Sequence, residues 1–308
     1  MNKIRIVFMG TPNVASNYLA LLQKEKFNIV GIYTQPPRPK DRGMSLKMSP
    51  VNLRAIEYGI PVFTPKNFKN KNDIIEFKKL KPELVIVMAF GMLLPSEIID
   101  EPKFGCINIH NSILPKWRGA APVEHAIMNG DKKTGVTIFK INNALDEGPI
   151  IASESVDIDD TISKKDLFNQ LNNTGMKLLI NILPKYLEDK ISLVAQDNVK
   201  AIYASKISSK TTKIDFFEDA QKISNKIRAF SPNPGAWFLY KNERFKIIKC
   251  KFNIHKSSPS ILLNQSFHIG CKNGSIIPEI IQRQGKIPLN INDFVRGFNF
   301  KAGEKINE

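Results

Sequence analysis

Apolar runs alternate with amphipathic stretches through the first half of the chain. Short apolar runs bounded by turn residues are typical of buried strands, and apolar residues spaced three or four apart are typical of helices. The pattern predicts strands at 3–10, 28–34, 84–91, 106–110 and 135–141. It predicts intervening helices at 14–22, 49–59 and 121–130. Apolar strands separated by helices indicate an α/β domain with a mostly parallel sheet covered on both faces.

The pattern changes in the second half of the chain, after a long helix predicted at 163–190. A polar stretch at 196–213 indicates a linker, and a short helix is predicted at 219–229. Beyond it, short apolar runs are separated by tight turns, which predicts hairpins within 237–250 and 267–281. A succession of short strands of this kind favours a small β-barrel, an architecture often used to hold nucleic acid.

Two polar side chains interrupt an otherwise apolar strand. Asn108 and His110 lie two residues apart at the end of 106–110, so they point to the same face. Asp146 follows the strand at 135–141, and in a parallel sheet its loop would lie beside them. They could be a satisfied polar pair at a sheet edge. Together with Asp146 they also form a plausible catalytic set, because an amide can stabilise an oxyanion and an imidazole beside a carboxylate can move a proton.

Positive charge is concentrated towards the end of the 308-residue chain. The formal net charge is +16, and residues 206–308 alone hold 18 Lys and Arg against 8 Asp and Glu. A lysine-rich composition that merely keeps the protein in solution would explain this, and so would a polyanionic partner. The uneven distribution makes a nucleic-acid surface in the last third the sharper hypothesis.

A long loop is predicted at 34–50, between a strand and a helix. It carries Arg38, Lys40, Arg42 and Lys47 among proline and glycine. Such a loop could simply be solvated, but long loops within α/β domains are usually functional or disordered. A basic loop at a strand-end crevice would suit an anionic substrate.

Several common signatures are missing from the sequence. Gly10 stands alone where a dinucleotide site needs G-x-G-x-x-G, and no Walker A motif occurs, so NAD and NTP chemistry are disfavoured. The other histidines, His125, His255 and His268, match no metal-ligand spacing, so no metal is expected.

Targeting and redox signals indicate a cytoplasmic protein without a membrane partner. The three cysteines form no C-x-x-C pair, which argues against a disulfide framework. The opening residues are too weakly apolar for a signal peptide. The longest apolar stretch, 84–94, falls short of the roughly 20 residues that cross a bilayer.

Specific motifs resemble the 10-formyltetrahydrofolate-dependent formyltransferases. They are N-x-H-x-S-I-L-P-x-W-R-G-A-A-P at 108–122, T-G-V-T-I at 134–138 and L-D-E-G at 145–148. The resemblance covers essentially the whole chain. It implies a Rossmann-like N-terminal domain and a C-terminal OB-like β-barrel, expected at 1–206 and 207–308.

The resemblance also implies roles for individual residues. The catalytic residues of the family fall on Asn108, His110 and Asp146. The folate-contacting segment falls on Ser112, Ile113, Leu114 and Pro115. The sequence departs from the family where Asn142, Asn143 and Ala144 replace an acidic residue or glycine in a run that lines the pterin pocket.

One branch of the family is matched most closely, on T-Q-P-P-R-P-K-D-R-G (34–43), Q-R-Q-G-K (282–286) and F-V-R-G (294–297). This branch uses 10-formyltetrahydrofolate as cosubstrate and formylates the methionine amino group of initiator methionyl-tRNA. We expect a monomer, and the basic loop and the basic tail make Arg38, Arg42, Lys246 and Lys249 the expected tRNA contacts.

Other readings remain. A UDP-amino-sugar formyltransferase shares the three catalytic residues, and the basic segment 34–43 is the feature that argues against it. A glycinamide ribonucleotide formyltransferase would lack the second domain. A non-catalytic RNA-binding homologue is disfavoured by the intact set Asn108, His110 and Asp146.

Overall fold

The computed structural model describes residues 3–40 and 45–306. The strands are β1 Ile6–Gly10, β2 Ile29–Tyr33, β3 Arg38–Lys40, β4 Ser45–Lys47, β5 Val62–Phe63, β6 Leu84–Met88, β7 Cys106–His110, β8 Lys116–Gly119, β9 Lys133–Lys140, β10 Ile150–Asp157, β11 Ile202–Ala204, β12 Ala236–Tyr240, β13 Glu243–Asn253, β14 Ile269–Gly270, β15 Ser275–Arg283 and β16 Leu289–Asn290. The helices are α1 Asn13–Lys24, α2 Pro50–Glu57, α3 Lys71–Lys79, α4 Ser96–Ile99, α5 Pro122–Asn129, α6 Lys164–Leu187, α7 Ser209–Thr212, α8 Ala220–Phe230 and α9 Ile291–Gly297.

The helix boundaries follow local signals in the sequence. Ser49 caps α2 by accepting a hydrogen bond from Asn52 N, and proline occupies the first helical position, where its missing N–H costs nothing. Gly130 ends α5 in the left-handed conformation, with φ at 75°.

The central sheet has the strand order β10-β9-β7-β6-β1-β2-β5. The β5–β2, β2–β1, β1–β6 and β6–β7 pairs are parallel, which confirms the prediction of a mostly parallel α/β sheet. The carboxyl ends of β6 and β7 therefore lie at one edge, with Val87 beside Asn108.

One strand runs against the direction expected from the sequence. β9 pairs with β7 in antiparallel fashion, with Thr137 opposite His110 and Lys140 opposite Ile107. The expectation that Asp146 reaches the catalytic edge directly from a parallel strand is therefore wrong. β9 ends at the start of β7, and the chain must fold back to bring Asp146 towards His110.

The two sides of β7 have different surroundings. Cys106 is fully buried in an apolar cluster with Val85, Val87 and Phe77. Asn108 and His110 have the same strand parity as Cys106, so they continue its face beyond the cluster. The core thus holds the first part of the strand, and its polar end is left at the sheet edge.

Contacts between Cα atoms divide the chain into two compact units. The first consists of 1–118, 135–156 and 170–203, and the second of 119–134, 157–169 and 204–308. Within the second unit, α5 packs against α8, and Arg228 Nη1 donates to Asp159 O at 2.6 Å. Segments from the first half of the sequence thus pack with the C-terminal residues. The boundary near residue 206 stays a prediction.

The C-terminal part of the second unit is an antiparallel sheet. Its strand order is β12-β13-β15-β14, with β16 also paired to β15. Aromatic rings fill its core: the Phe267 and Phe300 centroids lie 4.9 Å apart, as do those of Phe294 and Phe298. Among the described strands the pairing does not close into a barrel. The observation supports an antiparallel β domain, and the finer OB-like description stays an expectation.

Two segments that the sequence analysis left without structure contain strands. The loop predicted at 34–50 contains the hairpin β3–β4, with Arg38 opposite Lys47. The linker predicted at 196–213 contains β11 and α7, and Ile202 N donates to Pro115 O at 3.2 Å. All three strands, β3, β4 and β11, are only three residues long, too short for a periodic signal.

No helix among the described residues has the length and apolarity needed to span a membrane.

Candidate active site

His110 is held at the end of β7 by a hydrogen bond from its ring. Its Nε2 lies 2.8 Å from Trp117 O, and the side chain is only 7% exposed. A carbonyl oxygen can only accept, so Nε2 carries a hydrogen and donates it. Nδ1 is then the nitrogen that can gain or lose a proton, and it faces Asp146 Oδ2 at 3.8 Å. At that separation the carboxylate acts on the ring through charge rather than through a direct hydrogen bond.

Both partners of the imidazole belong to residues in an unusual backbone conformation. Trp117 has φ of 64° and Asp146 has φ of 52°. This left-handed region is uncommon for residues other than glycine, and it costs of the order of 1–3 kcal/mol unless the surroundings impose it. Such residues cluster at functional sites, and here two of them flank one histidine.

Asp146 lies on a closed loop that folds back from the end of β9. Lys140 N donates to Pro149 O at 2.9 Å, which joins the two ends of the loop. Gly148 must be glycine there, because an added Cβ would stand 1.7 Å from Lys140 O. This return of the chain brings Asp146 to His110 despite the antiparallel direction of β9.

Asn108 precedes His110 by two residues on the same face of β7. Asn108 pairs with Val87 of β6 on one side and with Phe139 of β9 on the other, and it is half-buried. Its amide is therefore fixed on a central strand of the sheet rather than on a loop. Rigid placement of a donor is what electrostatic stabilisation of a developing negative charge requires.

The predicted folate segment is fastened to β9 by one threonine. Thr137 Oγ1 donates to Ser112 O at 2.7 Å and accepts from Leu114 N at 3.1 Å. Gly135 lets the two pieces of chain approach, because an added Cβ would lie 2.3 Å from Ile113 Cδ1. Ser112 and Leu114 are buried, whereas Ile113 and Pro115 are half-exposed.

Four polar residues missed by the sequence analysis surround the Asp146 loop. They are Arg118, Glu147, Gln196 and Asn198. The guanidinium of Arg118 donates to the side chains of Gln196 and Asn198, and Gln196 in turn donates to the loop. W-R-G was visible as part of the motif, but no local pattern joins Arg118 to a glutamine 78 positions later.

The predicted tRNA contacts lie in different places. Arg38 is exposed on β3, and Arg42 lies outside the described residues. Lys246 is half-buried on β13. Lys249 is exposed and forms an ion pair with Glu279 at 3.1 Å, which lowers the pKa of that carboxyl group through a hydrogen bond.

The unusual residues Asn142 and Asn143 border a polar cavity of about 320 Å³. Lys103 and Lys140 line it as well, beside the amino end of β7. Its lining includes neither His110 nor any residue of 112–115.

Thiol and metal chemistry find no support among the described residues. Burial raises the pKa of Cys106 to about 12, so its thiol stays protonated and poorly nucleophilic at neutral pH. No cluster of three or more His, Cys, Asp or Glu in the described part of the chain could hold a metal ion.

Comparison with known families identifies the family of the chain. Residues 3–183 match the formyl transferase family, and residues 206–299 match the formyl transferase C-terminal domain. The chain belongs to the formyl transferase family. The resemblance seen in the motifs is confirmed, and this formyl transferase is an enzyme.

The chain is similar over almost its whole length to other formyl transferases. The methionyl-tRNA formyltransferase of Sinorhizobium fredii is 38% identical over 308 residues, covering 98% of this chain and 99% of that protein. That of Wolbachia pipientis subsp. Culex pipiens is 39% identical over 306 residues, covering 99% and 100%.

A solved structure shares the fold of this formyl transferase at lower identity. It is the N-formyltransferase from Helicobacter canadensis in complex with folinic acid and dTDP-3-aminofucose. The TM-score is 0.67 at 23% identity, and the match covers 91% of this chain and 99% of that one.

Proposed function

We propose that this formyl transferase moves the formyl group of 10-formyltetrahydrofolate to the methionine amino group of initiator methionyl-tRNA. The observation that carries the proposal is the full-length similarity, at 38–39% identity, to enzymes named for that acceptor. The excess of basic residues in 206–308 gives independent support, because tRNA is a polyanion.

Asn108 would stabilise negative charge on the formyl oxygen. When the methionine amine bonds to the formyl carbon, the electrons of the C=O bond move to that oxygen. The side-chain amide of Asn108 can donate a hydrogen bond to it from a rigid strand, at no cost of reorganisation. His110, on the same face, adds a positive charge when its ring is protonated.

His110 and Asp146 would manage the proton that the amine releases. The Nε2–H of His110 is engaged by Trp117 O, so exchange takes place at Nδ1, next to Asp146. The Asp146 carboxylate lies 3.8 Å from that nitrogen and would attract a positive charge on the ring. The amine loses one proton as its bond to the formyl carbon forms, and the departing folate nitrogen gains one as its bond to that carbon breaks.

The residues of these loops would suit the faces of a flat heterocycle such as the folate ring. Ile113 and Pro115 are half-exposed in the predicted folate segment. Leu93 is 85% exposed in the loop after β6, and Leu145 is 50% exposed beside Asp146. Exposed leucines around polar catalytic residues are what a bound heterocycle would cover. 10-Formyltetrahydrofolate would supply the formyl group and the nitrogen that leaves.

Acceptor RNA would be held by two basic regions. Arg38 and Arg42 belong to the segment proposed to place the acceptor end, and Lys246 and Lys249 to the domain proposed to hold the phosphate backbone. The catalytic domain would span 1–206, and an OB-like barrel would span 207–308. The enzyme would act as a cytoplasmic monomer without a membrane partner, a state that light scattering can check.

Transfer of radiolabelled formyl from 10-formyltetrahydrofolate to methionyl-initiator tRNA tests the function directly. We expect turnover with methionyl-tRNA and none with a UDP-amino sugar under the same conditions. The reverse preference would establish the sugar enzyme instead. Failure to transfer to either acceptor, with folate bound, would favour a non-catalytic RNA-binding protein.

Asn108→Ala should reduce turnover by roughly 10²–10³, because it removes one fixed donor to the formyl oxygen. Folate binding and the circular dichroism spectrum should be unchanged. Asn129→Ala, at the end of α5, is the matched control for loss of an amide. Turnover of the Asn108 variant within threefold of wild type would remove Asn108 from the mechanism.

Lys246→Ala should flatten the salt dependence of tRNA binding. Each phosphate contact contributes about 0.7–0.9 to the slope of log K against log salt concentration, so we expect a change of about one or less. Lys249→Ala should change it less, because Glu279 already pairs with that lysine. Binding is measured by filter retention at a series of salt concentrations.

Lys79→Ala provides the control for charge alone. Lys79 lies on α3 with its side chain 66% exposed, and it pairs with Glu76. An equal loss of slope in all three variants would mean that the charge acts through composition and not through a surface. Point variants are preferred to truncation near residue 206, because α5 packs against α8 and would lose its partner.

A further inference from the structure

Arg118 is a fully buried charge within the first compact unit. Its side chain is 0% exposed, yet it stands beside a loop that is largely exposed. Nε and Nη2 donate to Gln196 Oε1 at 3.0 and 2.8 Å, and Nη2 also donates to Asn198 Oδ1 at 2.7 Å. Nη1 lies 3.2 Å from Glu147 Oε1, an ion pair whose geometry falls short of a hydrogen bond. A charge is buried at such a cost only where its partners hold it.

Gln196 carries the effect of Arg118 to the loop of Asp146. Since the guanidinium donates twice to Oε1, the amide is oriented with Nε2 on the opposite side. Nε2 donates to Asp146 O and to Gly148 O, each at 2.8 Å. One side-chain amide thus holds the backbone of Asp146 on the loop that folds back from β9.

The residue before Arg118 holds the other member of the proton-transfer pair. Trp117 O accepts the hydrogen bond from His110 Nε2 at 2.8 Å. Consecutive residues of β8 are therefore connected to His110 on one side and, through Gln196, to Asp146 on the other. The two connections end at the pair whose Nδ1 and Oδ2 atoms are 3.8 Å apart.

We propose that Arg118 and Gln196 are positioning residues for formyl transfer, which set the place of the Asp146 carboxylate relative to His110. The inference rests on the proposed function. Arg118 has no surface with which to touch a substrate, so its contribution must pass through other residues. Asn142–Leu145 are exposed, and among the described residues Tyr203 also reaches the loop, where its hydroxyl donates to Glu147 Oε1 at 3.2 Å.

The expected effect is on turnover rather than on binding. A displacement of about 1 Å in a catalytic group can cost roughly 10²-fold in rate. The loop carries Asp146 but none of Ser112–Pro115, so moving it should leave the predicted folate segment in place. A loss of kcat with unchanged KM is therefore the signature of this arrangement.

Gln196→Glu in the full-length enzyme is the sharpest single test. A carboxylate still accepts from Arg118, and more strongly, but it has no N–H to donate to Asp146 O and Gly148 O. We expect kcat to fall about 10- to 100-fold, KM for both substrates to stay within twofold, and the melting temperature not to fall. Gln170→Glu, exposed on α6, makes the same charge change as a control.

A double-mutant cycle separates positioning from a merely structural role. If Gln196 acts through Asp146, then Gln196→Glu should have almost no further effect on kcat in the Asp146→Asn background. A structural defect would instead multiply the two losses. Equal factors in both backgrounds, or a kcat within twofold of wild type for Gln196→Glu alone, would overturn the inference.

Arg118→Lys tests the guanidinium itself. A single ammonium cannot reach Gln196, Asn198 and Glu147 together, so kcat should fall while KM is retained. Unchanged kcat in this folded variant would remove Arg118 from the arrangement. If the proposed function is wrong, the result is different: the wild-type enzyme itself transfers no formyl group to methionyl-tRNA. An active wild type with unaffected variants overturns only the positioning role.

Discussion

His110→Ala should lower formyl transfer by roughly 10²–10⁴, the range typical of a lost general acid–base group. The ring is fixed by Trp117 O and faces Asp146, so the substitution removes the imidazole proposed to exchange the proton at the end of β7. Folate binding should persist, because 112–115 is fastened independently by Thr137. Single-turnover transfer to methionyl-tRNA measures the chemical step directly.

His125→Ala is the control for the loss of an imidazole. His125 lies on α5 and its Nε2 contacts Ser205 O at 3.0 Å. We expect transfer close to wild type for that variant. Activity of His110→Ala within threefold of wild type, with a normal circular dichroism spectrum, would assign the proton transfer elsewhere.

Asp146→Asn should cause a loss of comparable size, roughly 10²-fold or more. The amide keeps the shape of the carboxyl group but removes the negative charge that faces Nδ1 of His110. The loop itself should remain in place, because Gln196 holds it through backbone carbonyls that the substitution leaves intact. We therefore expect a fall in kcat, with folate affinity retained.

Asp157→Asn provides the matched control. Asp157 is exposed at the end of β10, where it pairs with Lys133 at 3.6 Å. Turnover and its pH profile should be those of wild type. The same result for Asp146→Asn would reduce Asp146 to a structural residue and would overturn the positioning role of Arg118 and Gln196 as well.

The direction of β9 could not be predicted from the pattern of apolar and polar residues. The apolar pattern of 135–141 is the same whether the strand runs parallel or antiparallel to β7, because both faces of a central strand are buried. Asp146 does lie close to His110, as predicted. The predicted reason, a parallel β9, is wrong. A closed loop, with Gly148 against Lys140 O, brings the carboxylate back.

Short elements were also beyond the sequence analysis. The strands β3, β4 and β11 are three residues long, and pairing rather than periodicity defines them. In the second half, hairpins were visible from turn residues and short apolar runs. The sequence did not show that 119–134 and 157–169 join the C-terminal unit. Contacts between distant segments produce no pattern within either segment.

The sequence by itself determined which side chains point together along one strand. Asn108 and His110 share a face because strand parity is local, and Cys106 shows that this face begins in the core. Only the tertiary structure decided what holds them. Arg118 meets Gln196 across 78 positions, and Gln196 meets Asp146 across 50. Many polar residues of the sequence could be partners of the Arg118 guanidinium. Only the packing around this buried charge selects which of them bind it.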